Sequence, residues 1–305
     1  MAVTLVEAAK LNTGEVKRSA VIELFAENSA LLREIPFEDI AGGSLAYSRE
    51  ESLPGIAFRG VNEGYTESTG VINPMTETLH IAGGDLDVDV FIVETRGQGQ
   101  RAIQEKMKIK ALSYGWAQAF IKGDSTVDPR VMDGLQVRLT GAQKIAAGAT
   151  ANGTPLSLAK LDEAIDAVMN PTHLIMNKAL RRRLTAAARD STVSGFITYT
   201  KDAFGRPVTV YNDLPILVEE DDTEFLPFTE AATSGTATAT SIYVVSFGEG
   251  MLHGIQNGVM RVKDLGEQDA KPVLRTRVEW FAGIALMHGR SAARLWSISN
   301  AAVTL

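Results

Sequence analysis

The stretch GGDLDVDVFIVETRGQGQRA, residues 83–102, carries two patterns that favour different folds. In its second half, Gly97, Gly99 and Ala102 fit G-x-G-x-x-A, a variant of the glycine-rich turn that binds dinucleotides between a strand and a helix. In its first half, aspartates alternate with apolar residues, and this period of two predicts a strand with one wet face and one packed face. The choice between these patterns decides the fold.

The alternation argues against a dinucleotide-binding fold. The first strand of such a fold is central and parallel, so it is buried on both faces and should be apolar throughout. The alternating residues here are Asp85, Leu86, Asp87, Val88, Asp89 and Val90. Residues 41–93 show no βαβ pattern and predict extended β structure interrupted by turns. We therefore interpret Gly97 and Gly99 as a loose junction between a strand and a helix. A nicotinamide-dependent enzyme that uses these two glycines is the minor alternative.

The residues after this junction predict one long helix, from Gln98 to Lys122, which Gly123 and Asp124 end. Its apolar stripe at helical spacing consists of Ile109, Leu112, Trp116 and Phe120. The basic residues of its first half are Arg101, Lys106, Lys108 and Lys110. The helix is therefore expected to pack one face against a core.

The composition excludes several classes of protein. With no cysteine among 305 residues, the chain has no disulfide, no thiolate metal site and no cysteine nucleophile. The net charge of -7 is opposite in sign to that of a strongly basic nucleic-acid-binding protein. No apolar run approaches the roughly 18 residues of a membrane span, and the first residues lack a secretory signal pattern. We expect a soluble protein that is not secreted by that route.

No motif predicts catalysis, and we expect no enzyme activity, no cofactor and no metal. The four histidines are scattered without H-E-x-x-H spacing, and neither a G-x-S-x-G elbow nor a P-loop is present. The run DLDVDV resembles the start of a calcium-binding loop, but Val90 and Arg96 occupy the positions that need glycine and glutamate.

Two charge runs stand out later in the chain. One consists of Arg181, Arg182 and Arg183, and the other of Glu219, Glu220, Asp221 and Asp222. A solvated surface is the default interpretation of both runs. The alternatives are a phosphate or an acidic partner bound by the arginines, and weak cation binding by the acids.

The order of segments along the chain resembles that of tailed-bacteriophage major capsid proteins, whose shell-forming fold is shared with encapsulins. The segments that carry the resemblance are LPGIAFRGVNEGYTES from Leu53, WAQAFIKGDSTVDPRVMDGL from Trp116, HLIMNKALRRRL from His173, GRPVTVYNDLP from Gly205, YVVSFGEG from Tyr243 and VEWFAGIALMHGRSAARLWSI from Val278. Each motif is weak by itself, but together they follow the family's order over essentially the whole chain. The loop GDSTVDPR departs from the glycine-rich loop that usually follows the helix.

The resemblance implies an α+β fold with named parts. These are an N-terminal arm (1–40), an extended β-hairpin called the E-loop (41–93), a P-domain with a long spine helix (94–170), an A-domain (171–260) and a return to the P-domain (261–305). Only about forty residues precede the E-loop, so no fused scaffolding domain is expected unless one has been cleaved off.

The resemblance also implies a function. Such proteins self-assemble into pentamers and hexamers that form an icosahedral shell around double-stranded DNA, without sequence-specific DNA binding or a membrane. The protein would be made in the bacterial host cytoplasm and reside in the virion. Scaffolding, portal and decoration proteins are further candidate partners. An encapsulin-like compartment, which holds enzyme cargo, is the alternative within the same fold.

Charge predicts two contacts between subunits. Residues 41–93 contain eight acids and two arginines, a net of -6, whereas residues 94–144 contain nine bases and five acids, a net of +4. The resemblance implies that the E-loop lies over the P-domain of an adjacent subunit, which would bring these opposite charges together. The E-loop is therefore expected to dock on a neighbour's spine-helix region through Asp85, Asp87 and Asp89 against Lys106, Lys108 and Lys110, with Phe58 and Ile72 supplying apolar contact. Ion pairs within one chain are the alternative. Arg181, Arg182 and Arg183 are likewise expected to pair with Glu219, Glu220, Asp221 and Asp222 of a neighbour near a symmetry axis.

Overall fold

The computed structural model describes residues 3–5, 29–97, 99–189, 197–201, 205, 207–219, 225–258 and 260–304. The helices are α1 (Ala30–Glu34), α2 (Val90–Arg96), α3 (Gly99–Lys122), α4 (Leu135–Arg138), α5 (Leu158–Asp166) and α6 (Lys178–Ala187), with a 3-10 turn at Gly141–Gln143. The strands are β1 (Val3–Thr4), β2 (Pro36–Asp39), β3 (Ser44–Ser52), β4 (Val71–Thr78), β5 (His80–Asp89), β6 (Lys144–Ala146), β7 (His173–Ile175), β8 (Ile197–Lys201), β9 (Pro207–Tyr211), β10 (Leu214–Leu217), β11 (Thr240–Val245), β12 (Leu252–Gln256), β13 (Arg261–Gln268), β14 (Lys271–Leu286) and β15 (Ala292–Ile298).

The long helix α3 has the predicted length and end. Ile109, Trp116 and Phe120 are buried, as their helical spacing predicts. The helix ends at Gly123, whose N–H still bonds the carbonyl of Ala119 at 2.8 Å. A Cβ at this position would meet the carbonyl oxygen of Met132, so the returning chain requires a glycine. The predicted first residue, Gln98, lies outside the described residues.

The residues before α3 correct the prediction of continuous β structure as far as residue 93. Strand β5 alternates in burial as expected, but it ends at Asp89, whose carboxylate accepts a hydrogen bond from the N–H of Phe91 at 2.8 Å and caps α2. Gly97, with a φ of 82°, ends α2 in the left-handed region. Gly97 therefore ends one helix and Gly99 begins the next, so this segment does not form the strand-to-helix turn of a dinucleotide site.

A six-stranded sheet forms the surface on which α3 packs. Its strands follow the order β1-β2-β12-β14-β13, and β5 pairs with β14 along residues 273–282. The rings of Phe37, Trp116 and Trp280 meet with centroids 5.2–5.6 Å apart, which joins β2, α3 and β14 in one core. Gly254 on β12 lies against the Phe37 ring and leaves no space for a Cβ.

A seven-stranded sheet, in the order β6-β15-β11-β7-β10-β9-β8, forms the other half of the fold. Successive residues of its strands pack into two different hydrophobic cores, because neighbouring side chains of a strand point to opposite faces. Ile175 and Leu217 join the core beneath α3, whereas Leu174 and Ile216 join a second core with α5 and α6. The sheet therefore holds the two halves of the molecule together.

Strands β3 and β4 form a separate two-stranded hairpin, in which Ser44 faces Thr78 and Ser52 faces Val71. The connecting residues 53–70 are exposed and have no regular strand or helix. The hairpin covers only part of the predicted extension 41–93, because β5 belongs to the six-stranded sheet. In the described ranges, no helix combines the length and apolar character needed to cross a membrane.

Candidate assembly surfaces

The end of the hairpin exposes a group of large apolar side chains, which we call the apolar tip. It consists of Leu53, Ile56, Phe58, Val61 and Tyr65. Phe58 is fully exposed and Ile56 is 91% exposed. The connection is organised by its own contacts, because Gly60 donates a hydrogen bond to the Glu63 carboxylate at 2.8 Å and Arg59 lies over the Tyr65 ring at 5.2 Å. Grouped exposed apolar side chains of this kind mark an interaction surface.

The base of the hairpin is fixed to the body by a partly buried polar cluster, which we call the clamp. Arg138, in α4, donates to both carboxylate oxygens of Glu77 on β4, with the Nη2–Oε2 pair at 2.7 Å. The hydroxyl of Tyr47, on β3, donates to the Leu286 carbonyl at 2.9 Å and approaches the Glu77 carboxylate at 3.2 Å. Burial and the neighbouring Glu77 carboxylate raise the pKa of Tyr47 to about 12, so the hydroxyl keeps its proton at neutral pH.

The clamp joins residues far apart in the sequence, and none of them was singled out by sequence reasoning. No local pattern connects Tyr47, Glu77 and Arg138, which lie on three different elements. A bidentate arginine–carboxylate contact fixes direction as well as distance, so the clamp restricts the angle at which the hairpin leaves the body.

A second exposed apolar surface lies on α2 and the first turns of α3, and we call it the α2/α3 face. Its residues are Phe91, Ile92, Ile103 and Met107. Ile103 and Met107 are four residues apart and therefore share one side of α3. Lys106 and Lys110 are exposed on the same stretch of helix, and the Lys110 ammonium lies 5.4 Å from the centre of the Tyr114 ring.

The acidic face of β5 is paired within the chain. The Asp87 carboxylate accepts two hydrogen bonds of 2.6 Å from Arg275, and the Asp85 carboxylate accepts bonds of 2.6 and 2.9 Å from Arg277. These bonds hold the pKa of both aspartates below the ordinary value. Lys108 adds a weaker attraction to Asp85. The structure thus favours the in-chain alternative for these acids, with β14 arginines as the main partners, because β5 and β14 pair in register.

The predicted contact between two charge runs is partly wrong. Glu219 is buried, and its Oε1 accepts hydrogen bonds from the Ser29 hydroxyl at 2.7 Å and from the N–H of Leu31 at 2.8 Å. Burial raises the pKa of this carboxyl group. Glu219 therefore connects β10 to the start of α1 and cannot serve as a surface acceptor. The other members of the run, Glu220, Asp221 and Asp222, lie outside the described residues.

The three arginines of α6 have different environments. Arg182 is exposed, and Arg183 donates to the side-chain oxygen of Asn300 at 3.2 Å. Arg181 is half-buried beside a cleft between α1 and the edge of the seven-stranded sheet. Phe58 and Ile72 are both exposed on the hairpin, as their predicted role requires.

No described group of three or more histidine, aspartate or glutamate side chains could hold a metal ion. The exposed features described above are apolar and charged contact areas that lie on separate elements.

Comparison with known proteins gives a consistent picture. Residues 13–155, nearly half of the chain, match the family model described as major capsid protein GP7. No curated protein sequence matches the chain.

Solved structures with a similar fold cover most of the chain. An encapsulin complex of Synechococcus elongatus, the holo-SrpI complex, has a TM-score of 0.63 at 15% identity and covers 98% of this chain and 97% of its own. The protein of Mycobacterium phage Bobi has a TM-score of 0.63 at 14% identity, and the capsid of a native GTA particle has 0.61 at 18%. Each of these two matches covers 88% of this chain and 90% of the other. At these identities the likeness shows the fold alone, an α+β fold that the chain shares with these structures.

Proposed function

We propose that this chain is a tailed-phage major capsid protein and that it assembles with copies of itself into pentamers and hexamers of a closed icosahedral shell around double-stranded DNA. The observation that carries the proposal is the pair of exposed apolar surfaces, the apolar tip and the α2/α3 face. They lie on different elements, so one surface of a copy can face the other surface of its neighbour. Such head-to-tail contacts form a ring when the rotation between neighbours closes.

The apolar tip supplies the binding energy in this arrangement. Burying one side chain of the size of phenylalanine or isoleucine stabilises a contact by about 1.5–3 kcal/mol. The tip of one copy would cover the α2/α3 face of the next, and the clamp would hold each hairpin at the angle that the ring requires. Phe58 and Ile72 retain the contact role predicted from the sequence.

Charge has a smaller role than the sequence suggested. Asp85 and Asp87 are already paired with Arg277 and Arg275, and Glu77 belongs to the clamp. The exposed lysines of α3, Lys106 and Lys110, remain available to an acidic partner surface. Long-range attraction would then guide the encounter of two copies without contributing most of the affinity.

The proposed cargo fits the overall charge of the protein. Contacts between basic side chains and DNA phosphates accumulate steeply, and a chain of net charge -7 limits them. The proposed location is the virion capsid, after synthesis in the bacterial host cytoplasm. Scaffolding, portal and decoration proteins are further proposed partners, and no chemical reaction is proposed.

Electron microscopy of purified particles, followed by nuclease digestion and extraction, tests this function. We expect closed polyhedral particles containing nuclease-protected duplex DNA. The fold likeness to an encapsulin makes an enzyme-filled compartment the second candidate, and particles that contain a defined protein and no DNA would favour it. Compact monomers or dimers under all conditions would contradict both candidates.

A further inference from the structure

A cleft of about 390 Å³ opens between α1 and the edge of the seven-stranded sheet, away from the apolar tip and the α2/α3 face. Its volume lies within the range of small-molecule sites in proteins, roughly 300–1,000 Å³. Ile216 and Leu217 form an apolar floor, and the hydroxyl-bearing residues Thr200 and Thr209 line the wall.

The charged residues around this cleft are mostly positive. Arg33 comes from α1, Arg181 from α6 and Lys201 from the end of β8. The carboxylate among the described lining residues is Glu34. Glu34 lies 3.7 Å from the imidazole of His173, which also lines the cleft.

Arg181 and Lys201 differ from other basic residues of this protein. Arg138, Arg275 and Arg294 each form an ion pair with a carboxylate of the same chain. Within the ranges that the structure describes, no carboxylate lies within ion-pair distance of Arg181 or Lys201. Like charges held around one concave surface repel each other, and an anion between them removes this repulsion.

We propose that this cleft binds a small phosphate-bearing anion. An arginine fork matches phosphate oxygens with two parallel hydrogen bonds, and a lysine adds a compact positive charge from the other side. Threonine hydroxyl groups can donate to the remaining oxygens. The space exceeds that of a single phosphate group, so a diphosphate or a larger phosphate ester fits better than a monovalent ion.

Two other occupants are chemically reasonable, and both would contradict the proposal. The phosphate groups could belong to DNA, although a recessed cleft of this size admits a free anion more readily than a duplex. The acidic residues Glu220, Asp221 and Asp222 follow shortly after Val218, which lines the cleft, and could occupy it instead.

Calorimetric titration of the purified full chain with inorganic pyrophosphate, in buffer free of other phosphate, tests the inference. We expect saturable binding of one anion per chain. Arg181→Gln and Lys201→Gln should each weaken binding about tenfold or more, because each removes a charge-assisted contact. Arg182→Gln is the matched control, since Arg182 lies on the same helix, is exposed and does not line the cleft. Thermal melting of each variant verifies that it is folded.

Further titrations separate the rival occupants. A variant carrying Glu220→Gln, Asp221→Asn and Asp222→Asn should bind pyrophosphate within about threefold of the unchanged protein. A gain of tenfold or more would place the acidic run in the cleft and overturn the proposal. Absence of saturable binding, an equal loss in Arg182→Gln, or displacement of pyrophosphate by a short DNA duplex at equal phosphate concentration would also overturn it. None of these outcomes depends on shell assembly, so the proposed function would stand in each case.

Discussion

The tip and the base of the hairpin place their side chains in opposite ways. At the tip, large apolar residues such as Ile56 and Phe58 are exposed, whereas at the base the carboxylate of Glu77 is buried and the guanidinium of Arg138 is largely buried. In a self-contained molecule both arrangements are unfavourable, because apolar surface is left in water and charge is taken out of it. The difference suggests that the base is complete within one chain and that the tip is completed by another.

The largest expected effect comes from introducing charge at the tip. Phe58→Asp should abolish assembly, since the carboxylate would be buried at every repeated contact, while the thermal stability of the single chain should change little. Sedimentation velocity and electron microscopy measure assembly, and thermal melting measures stability. Val127→Asp is the matched control, because Val127 is 82% exposed and lies outside both apolar surfaces.

Equal loss of assembly in Phe58→Asp and Val127→Asp would show that added charge, rather than the tip, is responsible. A large drop in the melting temperature of Phe58→Asp would instead mean that the tip belongs to the fold of its own chain. Either result would remove the contrast between tip and base.

A substitution at the base of the hairpin should lower the stability of the single chain before it affects assembly. Arg138→Met removes one partner of a buried ion pair and leaves the Glu77 carboxylate uncompensated, which costs about 3 kcal/mol or more. Adding Glu77→Gln to this variant should recover part of the stability, because the unpaired charge is gone. Chemical denaturation of the unassembled chain gives both free energies of unfolding.

The double variant also separates rigidity from stability. If the clamp sets the hairpin angle, the double variant should fold but form irregular particles in electron micrographs. Regular particles from a well-folded double variant would mean that the hairpin angle is set by the neighbouring copy and not by the clamp.

The stability of the folded body should depend on pH, whereas the contact formed by the tip should not. His253 on β12 is buried 3.2 Å from Glu38, and burial lowers its pKa despite this carboxylate. Because the folded-state pKa lies below the unfolded value of about 6.5, the unfolded chain binds the proton first as the pH falls. Stability should therefore decline as the pH falls below about 6.5, until the pH reaches the folded-state pKa. Melting temperatures measured from pH 7.5 to 5 should show the decline.

His253→Gln should flatten this part of the pH profile. The tip residues 53–65 contain no histidine, so the contact they form should not follow the same titration. An unchanged slope in His253→Gln would assign the acid sensitivity to another group.

Local patterns predicted the elements better than the contacts between them. The 3.6-residue period predicted α3, and the alternation in β5 predicted its wet and packed faces. The helix α2 was missed because a single capping side chain, Asp89, ends the strand where the apolar pattern continues. The spacing of apolar residues contains no information about such a cap.

The contact residues were harder to predict for a physical reason. Glu219 belongs to a run of acids for which the sequence predicts a solvated surface, yet it is buried because it accepts hydrogen bonds from Ser29 and from the N-terminus of α1, 190 residues earlier. The clamp likewise depends on long-range pairing. Phe58 is exposed, as a contact role requires, and that role stays a prediction.

The smallest effect is expected on the paired face of β5, and it decides between contacts within and between chains. Asp87→Arg should lower the melting temperature only slightly, because the pair with Arg275 is exposed to solvent. Combining it with Arg275→Asp restores opposite charges at the same two positions and should return the melting temperature to its original value. Particle yield should depend on salt in the same way in both the single and the double variant, because the pair does not contribute to the contact between copies. A different result would support docking between copies. If Lys106→Glu restores the assembly yield of Asp87→Arg at low salt and Arg275→Asp does not, the acidic face docks on a neighbouring copy, as the sequence first suggested. In that case the acidic face of β5 would be completed by a second chain, as the tip is. The surfaces shared between copies would then include β5 as well as the tip of the hairpin.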